Sequence, residues 1–322
     1  MALVLVLLVA YLAYLGYRGS EQFGARSRAG DCRTPASAFG WTYEAINYDL
    51  ASDKALDAYP DRTACPGVGE AAGSQLTASD GVRIAGWYIP AGSQSATAPT
   101  VVLAHGAGRT KSEMLSWAAP LHADYNLVLF DFRNHGQSSG DVTTLGVREV
   151  RDLQAVLDWL NDAKHPTSIA VLGVSMGGAT AIDEAATDVR VSAVILDSTH
   201  ATLVGALQAE LDNDGYPLSL PGAWSILLGG LLRTGEDLSL ADPVQSMARY
   251  GDRPVLIVAA GRDHAVGPTD TADLLAAARD EGAQAEVQTC PEAGHGESIE
   301  MCSSDYAAWV LGFLSRSLPR AQ

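Results

Sequence analysis

Five short, near-continuous apolar runs restrict this chain to very few architectures: Thr100–Ala104, Leu127–Phe130, Ile169–Leu172, Val191–Leu196 and Val255–Ala259. A strand that alternates apolar and polar residues keeps one wet face, whereas a strand without alternation is buried on both. Helices must then cover both faces of the sheet. Leu145–Leu160 and Thr271–Asp280 supply apolar residues at helical spacing between the runs. Upstream, Ser74–Ser79 and Val82–Ile89 flank Asp80-Gly81, a dipeptide that favours the tight turns of β-hairpins. An antiparallel lead-in followed by strand–helix units predicts an α/β fold, with an open, mostly parallel sheet flanked by helices.

Hydrophobic residues make up 47% of the 322 and charged residues 18%, enough to fill such a core. The formal charge of −17 arises from 38 acidic against 21 basic side chains. A surface of that sign repels phosphate backbones, so nucleic-acid binding is not expected. No histidine and carboxylate spacing reads as a zinc site, so no metal is expected. Gly106 and Gly108 lack the third glycine of a dinucleotide fingerprint, and no cofactor is expected.

The N-terminus differs from the rest. Ala2–Tyr17 is uncharged, rich in Leu, Val, Ala and Tyr, and ends at Arg18. As a helix it would reach about 24 Å at about 1.5 Å per residue, close to a hydrocarbon core of roughly 30 Å, and Tyr11, Tyr14 and Tyr17 suit the interface. Residues 1–18 are therefore expected to be an uncleaved membrane anchor, 19–73 a linker, and 74–322 the folded domain. Two signals disagree on orientation. Arg18, Arg26, Arg28 and Arg33 follow the anchor and favour a cytoplasmic domain by the positive-inside rule. Cys32, Cys65, Cys290 and Cys302 fall outside the expected strands and helices. Paired loop cysteines suggest disulfides, Cys32 with Cys65 and Cys290 with Cys302, and an oxidising compartment. The extracytoplasmic side is the preferred expectation, the cytoplasmic face the alternative.

Chemistry concentrates at strand ends. Gly173-Val174-Ser175-Met176-Gly177 lies between the run Ile169–Leu172 and a helix-forming stretch, Gly178–Ala186. In that setting G-x-S-x-G describes a sharp strand-to-helix turn that lifts a serine hydroxyl above the sheet at a helix N-terminus. A serine needs a general base near neutral pH. His295 lies in a Gly-flanked loop after the expected last strand, Ala285–Thr289, and is the candidate. The base in turn needs a carboxylate; Asp263 follows the strand Val255–Ala259, and Asp197, one strand earlier, is the substitute. Backbone N–H groups of Met176 and of Ala107, in His105-Gly106-Ala107-Gly108, are the expected oxyanion donors. Asp131–Ser138 is expected to brace the sheet. His122, His165 and His200 are expected to be packed or solvated.

These motifs resemble the α/β-hydrolase superfamily. They run from Asp80-Gly81-Val82 and Gly86-Trp87-Tyr88 through His105–Gly108, Asp131–Ser138 and Gly173–Gly177 to Gly261–Asp263 and Gly294-His295. Within it the chain resembles membrane-anchored, small-lid hydrolases near the dienelactone-hydrolase and prolyl-oligopeptidase branches. The resemblance implies a serine hydrolase acting on small-molecule carboxylic esters or thioesters, and a lid insertion at about 198–253 with Trp224, Ile226 and Leu227 lining the site, resting on a membrane or packing against the sheet. Two alternatives stand beside it: a serine peptidase acting on short peptides, and a catalytically silent binding module at the membrane.

Overall fold

The structure is a computed structural model that describes residues 2–25, 33–47, 75–93 and 96–318. Its centre is one eight-stranded sheet made of β1 (Glu44–Ile46), β2 (Gly86–Ile89), β3 (Thr100–Ala104), β4 (Asn126–Phe130), β5 (Ile169–Val174), β6 (Val191–Asp197), β7 (Val255–Ala260) and β8 (Ala285–Cys290). The spatial order is β1-β2-β4-β3-β5-β6-β7-β8. β2 runs antiparallel to both β1 and β4, and every later pairing is parallel. All five unalternating runs are strands, and β3, β4 and β5 are buried at every residue.

Helices cover both faces, as burial on both sides demands. Helices Glu149–Lys164, Met176–Ala185 and Pro268–Asp280 pack on one face through residues such as Leu153, Val156, Ile182 and Leu274. The C-terminal helix Ser303–Ser317 packs on the other through Tyr306, Val310 and Phe313.

Two expectations change. The stretch around Asp80-Gly81 turns back on itself, with Ala78 N–H to the Val82 carbonyl at 2.8 Å and Ile84 N–H to the Leu76 carbonyl at 2.9 Å, but its pairing is shorter than expected: among the described residues it holds one bridge, Thr77 opposite Arg83. A side chain takes the groups that would form the next rung: Asn47 Nδ2 donates to the Leu76 and Ile84 carbonyls at 2.6 and 2.9 Å, and its Oδ1 accepts from Leu76 N–H at 3.4 Å. Glu44–Ile46, inside the stretch expected to be a linker, is instead the edge strand β1. Cys32 and Cys65 lie outside the described residues, and so does their suggested pairing. Cys290 and Cys302 are joined in a disulfide.

Between β6 and β7 the chain inserts helices Leu203–Asn213 and Ser219–Thr234. They form a third apolar cluster with the N-terminal helix, Ala2–Ser20: Leu15 and Phe23 pack with Leu203, Leu207, Leu211, Ile226 and Leu227. Ile226 and Leu227 therefore face inward and Trp224 outward. The apolar segment Leu3–Phe23, 21 residues, is long and apolar enough to cross a membrane.

Candidate active site

The strand order reverses about β3, with β4 on one side and β5 on the other. The crevice beyond the carboxyl ends at such a switch point is where open α/β sheets hold ligands. Ser175 lies there, one residue past β5 and one before helix Met176–Ala185. Its backbone is at φ 54° and ψ −119°, a region that costs a non-glycine residue roughly 1–3 kcal/mol. Neighbours hold it in place. Its N–H donates to the Asp197 carbonyl at 2.8 Å, and its carbonyl accepts from Gly178 and Ala179 at 2.9 and 3.0 Å. The turn closes only because two residues lack side chains. A methyl on Gly173 would lie 2.2 Å from the Gly177 carbonyl oxygen, and one on Gly177 2.1 Å from that of Ala104.

His295 reaches Ser175 from the loop after β8, with Nε2 2.8 Å from Ser175 Oγ. Its Nδ1 is 2.8 Å from Asp263 Oδ2. A carboxylate can only accept, so Nδ1 carries the proton and Nε2 is left with a lone pair facing the serine hydroxyl. The other oxygen, Asp263 Oδ1, accepts from the N–H groups of Ala265 and Val266, each at 2.9 Å, which fixes the carboxylate plane. The loops carrying Asp263 and His295 are tied together, Gly261 N–H to the Cys290 carbonyl and Arg262 N–H to that of Ala293, both at 2.8 Å. Gly296 N–H donates to Ser198 Oγ at 3.0 Å.

The turn His105–Gly108 lies directly against the serine: a methyl on Gly106 would be 3.4 Å from Ser175 Cβ. Buried histidines shape it. His105 Nε2 accepts from Phe132 N–H at 3.0 Å while Nδ1 faces the Gly106 carbonyl at 2.8 Å. Burial, with His135 nearby, lowers the His105 pKa to about 3, so the ring stays neutral. His135 Nε2 accepts from Gly108 N–H at 3.1 Å. Below them Asp131 is fully buried and accepts from Lys111 Nζ at 2.6 Å, Lys111 N–H at 2.7 Å and Gln137 N–H at 3.0 Å. Burial alone would raise that carboxyl, but the Lys111 ammonium outweighs it and holds Asp131 below the ordinary carboxylate range. Arg133 extends the brace, bonding Asp152 at 2.6 Å and Asp80 at 2.7 Å. Asp80-Gly81 thus serves as an anchor for this segment.

Asp197, the substitute acid, is engaged elsewhere. It is fully buried and accepts from Trp117 Nε1 at 3.1 Å, Tyr306 OH at 3.0 Å and Ser198 Oγ at 3.1 Å. Burial raises its pKa despite those donors. His200 is packed, and burial pushes its pKa down to about 4. His122 stacks on Trp41 with ring centroids 3.9 Å apart.

Two cavities meet at Ser175. The smaller, about 50 Å³, is bounded by Ala107, Met114, Trp117 and Val174. The larger, about 350 Å³, runs past Met176 and His200 to Leu203, Leu207 and Val266, with Gln22 and Glu210 at its rim. Sequence reasoning missed Met114, Trp117 and Gln22, which carry no motif and reach the site through tertiary packing alone. Among the described residues no cluster of side chains is suited to hold a metal ion.

Comparison with known proteins agrees with this architecture. An uncharacterized protein of Escherichia coli strain K12, YfhR, is 31% identical over 174 residues, which cover 50% of this chain and 58% of that protein. The chain thus spans less than two thirds of that relative. The uncharacterized Rv2307c of Mycobacterium tuberculosis is 30% identical over 62% of this chain and 64% of its own length. Among solved structures, the Pyrococcus furiosus esterase Pf2001 superposes with a TM-score of 0.70 at 21% identity, covering 92% of this chain and 99% of that one. Pyrococcus horikoshii acylaminoacyl peptidase superposes at 0.58 and 17% identity, covering 74% of this chain and 40% of the peptidase. The sequence pattern of the alpha/beta hydrolase family matches residues 101–309, the span from β3 to the C-terminal helix, and the chain belongs to that family.

Proposed function

We propose that the protein is a serine hydrolase that cleaves carboxylic esters or thioesters through an acyl-serine intermediate, with Ser175 as nucleophile, His295 as general base and Asp263 as its carboxylate partner. The observation that carries this reading is the unbroken chain from Asp263 Oδ2 through His295 to Ser175 Oγ, 2.8 Å at each contact. His295 Nε2 takes the hydroxyl proton as Ser175 attacks the carbonyl carbon, and Asp263 steadies the imidazolium that forms. The negative charge that develops on the carbonyl oxygen is met by the N–H groups of Met176 and Ala107, the former aided by the helix N-terminus. Collapse expels the alcohol or thiol, which takes its proton from His295. Water, deprotonated by the same nitrogen, then releases the acid. The two cavities at Ser175 give the two halves of an ester separate places to lie.

The N-terminal helix serves as a membrane anchor in this reading. One side of its second half is packed into the domain, with Leu15 and Ser20 buried and Phe23 buried just past its end, which supports its retention. The Cys290–Cys302 disulfide supports an extracytoplasmic catalytic domain.

The test is fluorophosphonate labelling of wild type and Ser175→Ala, with turnover of p-nitrophenyl esters of increasing chain length. The reading requires labelling that vanishes in the variant, and ester turnover reduced by about 10⁴-fold or more with the fold unchanged. Folded wild type that neither labels nor turns over ester would sink it.

A further inference from the structure

The N-terminal helix and helix Ser219–Thr234 run side by side in the same direction. Tyr11 OH donates to the Pro217 carbonyl at 2.8 Å near one end. At the other, a methyl on Gly24 would lie 3.6 Å from Arg233 Cδ. Between these points glycines bring the backbones together: a methyl on Gly16 would lie 2.6 Å from the Ser225 carbonyl oxygen, and one on Gly229 2.3 Å from that of Gly16. This is the close contact that small residues allow between apolar helices. The pair therefore behaves as one apolar element.

The outer side of helix Ser219–Thr234 is a continuous apolar stripe. Leu220, Trp224, Leu228, Leu231 and Leu232 recur at helical spacing, and all are exposed, Trp224 by 52% and Leu232 by 81%. Its one charged residue, Arg233, is in the last turn, as Arg18 is in the last turn of the N-terminal helix. Almost all the exposed large apolar side chains of the described residues lie on these two helices or the turn leading into the second; Phe39, Val189, Leu240 and Met301 are the exceptions. A patch this concentrated marks an interaction surface. Its occupant follows from continuity. The stripe adjoins, in parallel packing, a segment long and apolar enough to cross a membrane, and Trp and Arg are the residues that favour a bilayer interface. A second copy is disfavoured by charge, since each chain carries −17.

We propose that helix Ser219–Thr234 is a second membrane-docking element, its Leu220–Leu232 face lying in the lipid beside the N-terminal helix. Helix Leu203–Asn213, a wall of the larger cavity, is joined to this element and is thereby held near the bilayer. The docking itself does not depend on the catalytic reading.

Trp224 is the one exposed tryptophan of the six, which makes it a built-in probe. The full chain is reconstituted into phosphatidylcholine vesicles with and without brominated acyl chains, and tryptophan emission is compared for wild type and Trp224→Phe. Docking requires quenching in wild type of which Trp224→Phe loses at least half. Leu228→Glu with Leu232→Glu must likewise weaken quenching while circular dichroism stays unchanged. Wild type that is not quenched, or is quenched as much as Trp224→Phe, overturns the proposal. So does efficient cross-linking of Leu228→Cys between two copies in vesicles, which would assign the face to a second chain. Turnover of a water-soluble short ester, measured on the same samples, reports separately on the catalytic reading.

Discussion

Cys290 and Cys302 are bonded to each other across the loop that holds His295 against Ser175. Cys290 ends β8 and Cys302 precedes the C-terminal helix, so the bond closes a 12-residue separation between two anchored elements. Cross-linking a loop of this size removes unfolded-chain freedom worth about 3 kcal/mol. Replacing both cysteines by alanine is expected to lower unfolding free energy by about 2–3 kcal/mol in denaturant titrations. It should also lower kcat of the proposed esterase more than it raises KM, because the loop positions a base rather than a binding surface. Unchanged stability would show that the contacts of Gly261, Arg262 and Gly296 suffice to hold the loop.

The two carboxylates at the ends of β6 and β7 are expected to respond in opposite ways. Asp263→Asn keeps the shape but no longer fixes the His295 tautomer, and kcat should fall by about 10⁴-fold with the melting temperature nearly unchanged. Asp197→Asn should leave activity within about tenfold, because its partners are Trp117, Tyr306 and Ser198 rather than His295. Its effect belongs to stability. Burial raises the Asp197 pKa, so ionisation costs stability as pH rises from the ordinary carboxylate range through that raised value. The neutral amide should therefore relieve a penalty above that range and change little below it. Thermal melts of both variants across pH, paired with ester turnover, separate the two roles.

The difference between these carboxylates also marks where the amino-acid sequence stops being informative. Ser175 and Asp263 each follow an apolar run and His295 follows the alternating stretch Ala285–Thr289, so their shared edge of the sheet is legible in the chain itself. That the two runs are strands needs only their burial on both faces, whereas the half-buried edge strand β8 shows in its alternation. Asp197 satisfies the same rule, and nothing near it in sequence names its partners; Trp117 and Tyr306 arrive from helices far away along the chain. The inserted helix poses the same problem. Helical spacing reveals its apolar character, but which side faces inward depends on the N-terminal helix packing against Gly222, Ile226 and Gly229. The hairpin around Asp80-Gly81 is shorter than its sequence suggests because Asn47, distant along the chain, takes the Ile84 carbonyl and the Leu76 N–H that would form its next rung.

Glu184 offers a pH test away from the site. It is buried in helix Met176–Ala185, and burial, with Asp188 and Asp158 nearby, raises its pKa to about 7. A raised carboxylate stabilises the fold below its ordinary value of 4.5 and loses that contribution as pH climbs through about 7. Glu184→Gln should therefore match wild type near pH 4.5 and be more stable at pH 8, by on the order of 2 kcal/mol. Denaturant midpoints at the two pH values decide it; a variant equally stable or weaker at pH 8 would contradict the burial argument.

The turn against Ser175 should be sensitive to a residue that touches neither substrate nor serine. His135 Nε2 accepts the Gly108 N–H, and His105 is pinned between Phe132 and Gly106, so the direction of the Ala107 N–H depends on both rings. Removing an oxyanion donor outright typically costs about 100- to 1,000-fold in rate. Misdirecting one should cost less, and His135→Ala is expected to lower kcat roughly 10- to 100-fold with KM little changed. His105 has its pKa lowered to about 3 by burial, so it remains neutral throughout the working range and contributes no limb to the pH–rate profile. The profile of His135→Ala should then be lower than that of wild type at every pH but unchanged in shape. A shifted acid limb would mean that His135 acts on the His295–Asp263 pair instead of on the turn.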